Sequence, residues 1–495
     1  MQNHGALPRL YRDIPCRGDL RMTNQPSSSR RALATARRVA VWPGSRLPGL
    51  LLFAACSSWS AASQAFDVAG ERGFDVTQYT ARIDPDLASA TLRGSEKIRV
   101  DIHSAQLHGL TFDAGDLVID EVLDEGEKLP FQKAGKQLKI LLPMSMAVGR
   151  HLDLRIRYHG APHSGLEFHP EAGEIYTIFS TSEWLVCLDA PDERATLDLS
   201  VALPATSNAI GNGRLVSKSK LNRDLELYRW RQDVPVPSFV YGFAAGPFHE
   251  VAVHAGGVDL RFLSTELDSG QLQKLFVDTG DMLTFFGSRS GISYQGTYQQ
   301  ALVAKTIGQE LAGFALLSEE YGHKTLEIPR GETLIAHEAA HQWWGIMLTC
   351  RSWSDFWLNE GFANFMAAAY VQHRFGEPAY QRIIGRWHSR VELLVTSGTD
   401  HPLVYREWKS PSDDDRAVVY VKGAYVLHLL RIEMGETEFW NGIRAYTTTY
   451  QGRSVTTADF EQAMQRASKK NLDVFFNKWI DGSLPKNDVP VPVGA

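Results

Sequence analysis

Cysteine is scarce in this chain: four in 495 residues, at Cys16, Cys56, Cys187 and Cys350. So few thiols exclude a disulfide-stapled scaffold. Long apolar runs are lacking too. The stretch 47–56 (LPGLLLFAAC) is too short to span a bilayer as a helix, and no other segment competes with it. Past residue 65 a surplus of positive charge is also missing. Residues 1–65 hold nine arginines and two aspartates, a net of +7; taking that from the chain's −6 leaves −13 on the remaining 430 residues. A body that acidic excludes nucleic acid as the expected partner. Internal repeats are absent, and no biased segment occurs beyond the leader.

That leader has an order of its own. Its basic part, the short apolar run and the small residues ending in Ala62-Ser63-Gln64-Ala65 follow the layout of a secretory signal. Met22 is an alternative start, and Arg30-Arg31 hints at a twin-arginine leader. Cleavage after Ala65 gives a soluble exported protein. Phe53-Ala54-Ala55-Cys56 instead resembles a bacterial lipoprotein box, which would make a lipid on Cys56 the one route to a membrane. Either way the expected location is the bacterial periplasm or the exterior. A soluble exported chain keeps only Cys187 and Cys350 as a pair that one bridge could join.

From 66 to 249 the pattern has period two. Leu152, Leu154, Ile156 and Tyr158 alternate with Asp153, Arg155, Arg157 and His159, and Ile98, Val100 and Ile102 with Arg99 and Asp101. This is the signature of antiparallel strands with one wet face, the last expected at 238–246. After Gly246 the rhythm lengthens, and 270–286, 333–348, 359–375, 420–434 and 457–468 favour helix. Asn359, Thr456 and Thr457 are N-cap candidates, and Gly376 and Gly435 are stops. The expected fold class is α+β and multidomain. A leader (1–65) precedes an antiparallel β domain (66–250), a mainly helical catalytic domain (251–486) and a tail (487–495).

The chemistry concentrates at His337-Glu338-Ala339-Ala340-His341, with Glu360 downstream in Trp357-Leu358-Asn359-Glu360-Gly361. On a helix, two histidines four apart lie roughly 40° apart and about 6 Å along the axis, so both imidazoles reach one ion. Glu338 lies a quarter-turn away, within reach of a water on that ion, and Glu360 arrives from a second helix. Two histidines, one carboxylate and an open position make a catalytic zinc site, one ion per chain. The flanks are apolar on nearly every side, and burying three ionisable groups without a partner costs several kcal/mol. A metal removes that cost.

Residues 337–345 (HEAAHQWWG) and 353–363 (WSDFWLNEGFA) resemble the zinc aminopeptidases related to aminopeptidase N and leukotriene hydrolase. So do Cys187-Leu188-Asp189-Ala190-Pro191-Asp192, Tyr420-Val421-Lys422-Gly423-Ala424 and 475–482, across roughly 70–485. The resemblance implies a β N-domain packed on a thermolysin-like catalytic domain acting on peptides. It makes His337, His341 and Glu360 the zinc ligands, Glu338 the general base and Tyr420 the donor to the oxyanion. The family's Gly-x-Met-Glu-Asn signature, whose glutamate captures the substrate's α-amine, departs here to 307–313 (IGQELAG). Glu310 falls on that glutamate, and Glu319 and Glu320 are rivals. Longer members carry a helical C-terminal domain over the cleft, and a chain ending at the catalytic domain is expected to have a more open site.

Smaller expectations complete the reading. Asp355 either orients a ligand histidine or serves as a surface or capping residue. Trp343, Trp344, Trp353 and Trp357 are core packing around the zinc helices, and Asp413-Asp414-Asp415 is a solvated loop. The readings that compete with an exported aminopeptidase are a zinc endopeptidase without amine anchoring and a non-catalytic peptide-binding protein. The oligomeric state is left open.

Overall fold

The computed structural model describes residues 72–142, 146–305, 308–327, 333–406 and 411–485. The expected leader, with Cys56, and the tail lie outside these residues. The period-two pattern becomes an eight-stranded sheet, in the spatial order Arg214–Lys220, Leu225–Pro237, Arg194–Pro204, Phe74–Asp86, Thr91–Ile102, His151–Gly160, Val118–Asp124, Glu127–Lys128. In His151–Gly160, Leu152, Leu154, Ile156 and Tyr158 are buried while His151, Arg155, Arg157 and His159 face water. Burying one face in this way is what fixes the register. One pairing departs from the antiparallel expectation. Phe74–Asp86 runs parallel to Arg194–Pro204, with Gln78 opposite Thr196 and Ile83 opposite Val201. A four-stranded sheet of Asn208–Gly211, Phe243–Gly246, Glu174–Ile178 and Gly165–His169 accompanies it. The expected strand at 238–246 is a short 3-10 turn, Ser238–Val240, followed by the strand Phe243–Gly246.

The second half does not open with helices. It opens with a five-stranded mixed sheet ordered His249–Ala255, Val258–Ser264, Thr297–Val303, Phe314–Ser318, Gly308–Leu311. The last three strands are buried almost throughout. A strand covered on both faces loses its alternation, and periodicity cannot separate it from a buried helix. The expected helix at 270–286 is two, Ser269–Leu275 and Thr279–Ser290.

The remaining α-helices of this half are Glu319–Glu327, Thr333–Ala340, Trp357–Phe375, Glu377–Ser397, Asp413–Ala417, Gly423–Met434, Glu436–Thr449, Thr457–Ser468 and Asp473–Trp479. Thr456 caps Thr457–Ser468 in a reciprocal box with Asp459, and Gly376 and Gly435 end their helices. Asn359 is not a cap. Its helix begins two residues earlier, and its side-chain oxygen instead accepts the Cys350 N–H at 2.9 Å. Asp413-Asp414-Asp415 is not a loop but the first turn of the helix Asp413–Ala417. Ser412 caps that turn through Asp415, and Asp414 pairs with Arg390.

The two halves interlock. Ile346, Ala312 and Trp353 from the second half pack into the apolar core of the first. Arg194, on a β strand, donates to the carbonyls of Ile346 (2.9 Å) and Met347 (3.3 Å). Cys187 and Cys350 are both buried and unpaired, so no bridge joins them. Among the described residues no helix is long and apolar enough to cross a membrane.

Candidate metal centre

The helix Thr333–Ala340 carries His337 and Glu338 and stops one residue short of His341. The sequence reading ran this helix to 348. The backbone turns instead, and the turn brings the Trp344 carbonyl back to accept the His341 Nδ1–H at 2.9 Å. A carbonyl only accepts, so the proton of His341 sits on Nδ1 and Nε2 presents a lone pair. His337 Nδ1 is likewise engaged, 3.0 Å from Asn364 Oδ1. The two Nε2 atoms therefore face each other at 3.0 Å, and Glu360 Oε2 stands 3.2 Å from one and 3.4 Å from the other.

Three lone-pair atoms converging in this way repel unless a cation, a metal ion or a proton, lies among them. Tetrahedral zinc with bonds near 2.0–2.1 Å separates its ligand atoms by about 3.3 Å. The donor set and its spacings fit that ion. Electrostatics agrees. Burial disfavours charge on His341, yet Glu360, Glu310 and Glu338 outweigh it and push the imidazole up to about 10. Burial and the neighbouring His341 hold His337 below its ordinary value. Burial opposes ionisation of Glu360 as well, but His341 and His337 bring it down to about 2. A pocket with three carboxylates demands positive charge.

Glu338 is enclosed, and its Oε2 finds no hydrogen-bond partner among the described residues. Burial, then Glu310 and Glu360, push its carboxyl well above the usual range. It lies hard against the backbone of Gly308: a Cβ there would sit 2.5 Å from Glu338 Oε1. Two residues on, Glu310 projects from the edge strand Gly308–Leu311 towards the same place. Ligand-type atoms of Glu310, Glu338 and His341 all lie within 4.8 Å of one another. Burial and then Glu360 push Glu310 up to about 7, against the pull of His341. Gln342 clamps that strand to the zinc segment, donating to the Leu311 carbonyl (3.0 Å) and accepting from the Gly313 N–H (3.0 Å).

The rivals of Glu310 are occupied elsewhere. Glu319 accepts from the Ser264 hydroxyl and the Thr265 N–H, each at 2.8 Å, and Glu320 is exposed beside Lys324.

Tyr420 is buried, its ring nearly parallel to that of His337 with centroids 6.3 Å apart. The expected helix 420–434 begins only at Gly423; Val418–Lys422 is a π-helical turn, a widening that recurs at functional sites. Lys422, buried with no exposed surface, anchors its far end on Asp400 and the His401 carbonyl, both at 2.8 Å.

Asp355 does not meet a histidine. It accepts from the N–H and hydroxyl of Thr457 and so caps the helix there. Asn364 takes the orienting role at His337, a residue that sequence reasoning missed. The available signal was its place four residues after Glu360, hence on the same helix face. Trp343, Trp344 and Trp357 are fully buried, and Trp353 is partly so.

The comparisons agree with this geometry. The model of the Peptidase M1 N-terminal domain matches residues 76–240, and that of the Peptidase family M1 domain matches 314–479. Leucine aminopeptidase 2 of Aspergillus niger is 25% identical over 440 residues, covering 82% of this chain and 68% of that protein. Leukotriene A-4 hydrolase of Xenopus laevis is 25% identical over 433 residues, covering 81% and 70%. Aminopeptidase N of Lactococcus lactis subsp. lactis is 26% identical over 402 residues, but the chain spans only 46% of its length. Among solved structures, an M1 zinc metallopeptidase from Deinococcus radiodurans superposes with a TM-score of 0.72 at 24% identity, covering 85% of this chain and 97% of that one. A two-domain M1 zinc metallopeptidase solved with L-arginine gives 0.73 at 25% identity, with the same coverage.

Proposed function

Because the chain belongs to peptidase family M1, we propose that its centre works as a zinc aminopeptidase, releasing N-terminal residues from peptides. The observation that carries this reading is the meeting of Glu310, Glu338 and His341 within 4.8 Å, beside the donor set His337, His341 and Glu360. Those three residues would hold the ion, which when bound supplies an activated water and a polarised scissile carbonyl.

The chain's own groups do the rest. A cation held by His337, His341 and Glu360 would favour the carboxylate form of Glu338, which, with Oε2 uncommitted, takes a proton from the attacking water and delivers it to the leaving amine. Tyr420 donates its hydroxyl hydrogen to the oxyanion that develops on the carbonyl. Glu310 receives the substrate's α-ammonium. Burial and Glu360 disfavour its ionisation when nothing is bound, and an arriving cation restores the carboxylate. Binding of the N-terminus and charge on Glu310 are therefore linked.

The endopeptidase reading draws support from the missing methionine and asparagine around Glu310. A panel of aminoacyl-arylamides and N-acetylated peptides decides between the two: turnover confined to free amines is expected. Equal hydrolysis of blocked and free substrates would overturn the aminopeptidase reading. We further propose export, supported by the layout of residues 1–65. Mature protein beginning at Phe66 would support a soluble form, a lipid-modified Cys56 an anchored one, and an intact leader on the cellular protein would refute both.

A further inference from the structure

We infer that Asn364 is a positioning residue: one amide both locks the metal-binding tautomer of His337 and holds the backbone turn that carries Tyr420. The inference rests on the zinc aminopeptidase reading and deepens it.

Asn364 is buried on the helix Trp357–Phe375, one turn beyond Glu360. Its Nδ2 lies 2.9 Å from the Tyr420 carbonyl, and its Oδ1 lies 3.0 Å from His337 Nδ1. These bonds are not independent. The Tyr420 carbonyl can only accept, so the amide must turn its NH2 group that way. The Oδ1 is then directed at His337 and can only accept as well. His337 must place its proton on Nδ1, leaving the Nε2 lone pair facing His341 and Glu360. The tautomer of a ligand is thus dictated by a backbone carbonyl in the turn of the oxyanion donor.

The close approach that allows this is visible one turn earlier. Gly361 lies so near the π-helical turn that a Cβ would stand 3.0 Å from Gly423 Cα and 3.2 Å from the Val419 carbonyl. A flipped amide would set Oδ1 against a carbonyl oxygen and the NH2 group against an imidazole N–H, losing both bonds.

Two substitutions separate the functions. Asn364→Leu removes both bonds. Asn364→Asp keeps an acceptor for His337 but faces the Tyr420 carbonyl with an oxygen that cannot donate. Zinc affinity is measured by competition with a chromophoric chelator, and kcat and KM on an aminoacyl-arylamide at saturating zinc, with circular dichroism to check the fold.

For Asn364→Leu, zinc affinity should fall about 10- to 100-fold, the usual scale for an orienting partner of a ligand. Its kcat should fall at least about tenfold with KM nearly unchanged, as expected for an effect on the transition state alone. Asn364→Asp should bind zinc at least as tightly as the parent yet lose kcat to a similar degree. Parental zinc affinity and kcat in the leucine variant would overturn the inference. So would an aspartate variant that loses zinc as severely as the leucine one, or one with undiminished kcat. If the leucine variant does not fold, the isosteric aspartate still decides. An active parent with indifferent variants refutes only the role of Asn364, whereas a parent without zinc or peptidase activity refutes the functional reading beneath it.

Discussion

Glu338 keeps a carboxyl oxygen buried with no partner among the described residues, a condition that costs stability and is kept where the group is needed to move a proton. Replacing it with glutamine preserves shape and removes the base. Glu338→Gln should therefore retain one zinc per chain by metal analysis while losing most turnover, whereas His341→Ala should lose the metal itself. Zinc-loaded Glu338→Gln with parental kcat would remove Glu338 from the chemistry. Tyr420→Phe deletes only a hydroxyl, so kcat should fall by about a hundredfold or more, as when one oxyanion donor is removed, with little change in KM. An unchanged kcat would make Tyr420 a packing residue. For Glu310→Ala, KM for free-amine substrates should rise by roughly one to two orders of magnitude, the scale of a hydrogen bond to a charged group. Glu319→Ala should leave KM where it was, because Glu319 spends its oxygens on Ser264 and Thr265. Equal effects of the two substitutions would contradict the assignment of the amine to Glu310.

At the scale of elements, the crossing of Trp357–Phe375 with the π-helical turn decides where Tyr420 stands. Gly361→Ala would press a methyl group onto backbone rather than onto a flexible side chain, and overpacking of this kind costs about 1–3 kcal/mol. Thermal unfolding should show that loss together with a drop in kcat, and a variant matching the parent in both would mean the crossing is looser than it looks. How far such elements can be read from sequence depends on what stabilises them. His337 and His341 were legible because a spacing of four brings two imidazoles to one side of a helical turn, and Glu360, on a separate helix, because the motif around it resembles a known third ligand. The sheet of Thr297–Val303 and Phe314–Ser318 was not, since its burial comes from neighbours distant in sequence. The π-helical turn was equally hidden, for nothing local in Val418–Lys422 distinguishes it from α-helix. For Asp355 the sequence left a histidine partner and a capping role open, and capping is the outcome, through Thr457 about a hundred residues away.

For the molecule as a whole, Asp113 links stability to pH. Burial, then Asp189, pushes it up to about 7 from an ordinary 3.8. Between about pH 4 and 7 the folded chain holds a proton that the unfolded chain has released, so stability falls as pH rises through that window and levels off above it. Asp113→Asn should flatten this slope and raise Tm at pH 8, and a variant with the parental slope would show that other groups set it. The arginine bridge between the halves has a different reach. Arg194 ties a β strand to the carbonyls of Ile346 and Met347, and Ile346, five residues after His341, is buried in the β core. The catalytic half is therefore not a portable module. A fragment beginning after residue 250 would expose Ile346 and strand two carbonyls just beyond its own ligand segment, so grafting this chemistry onto another scaffold requires carrying the β half with it as a single heritable unit.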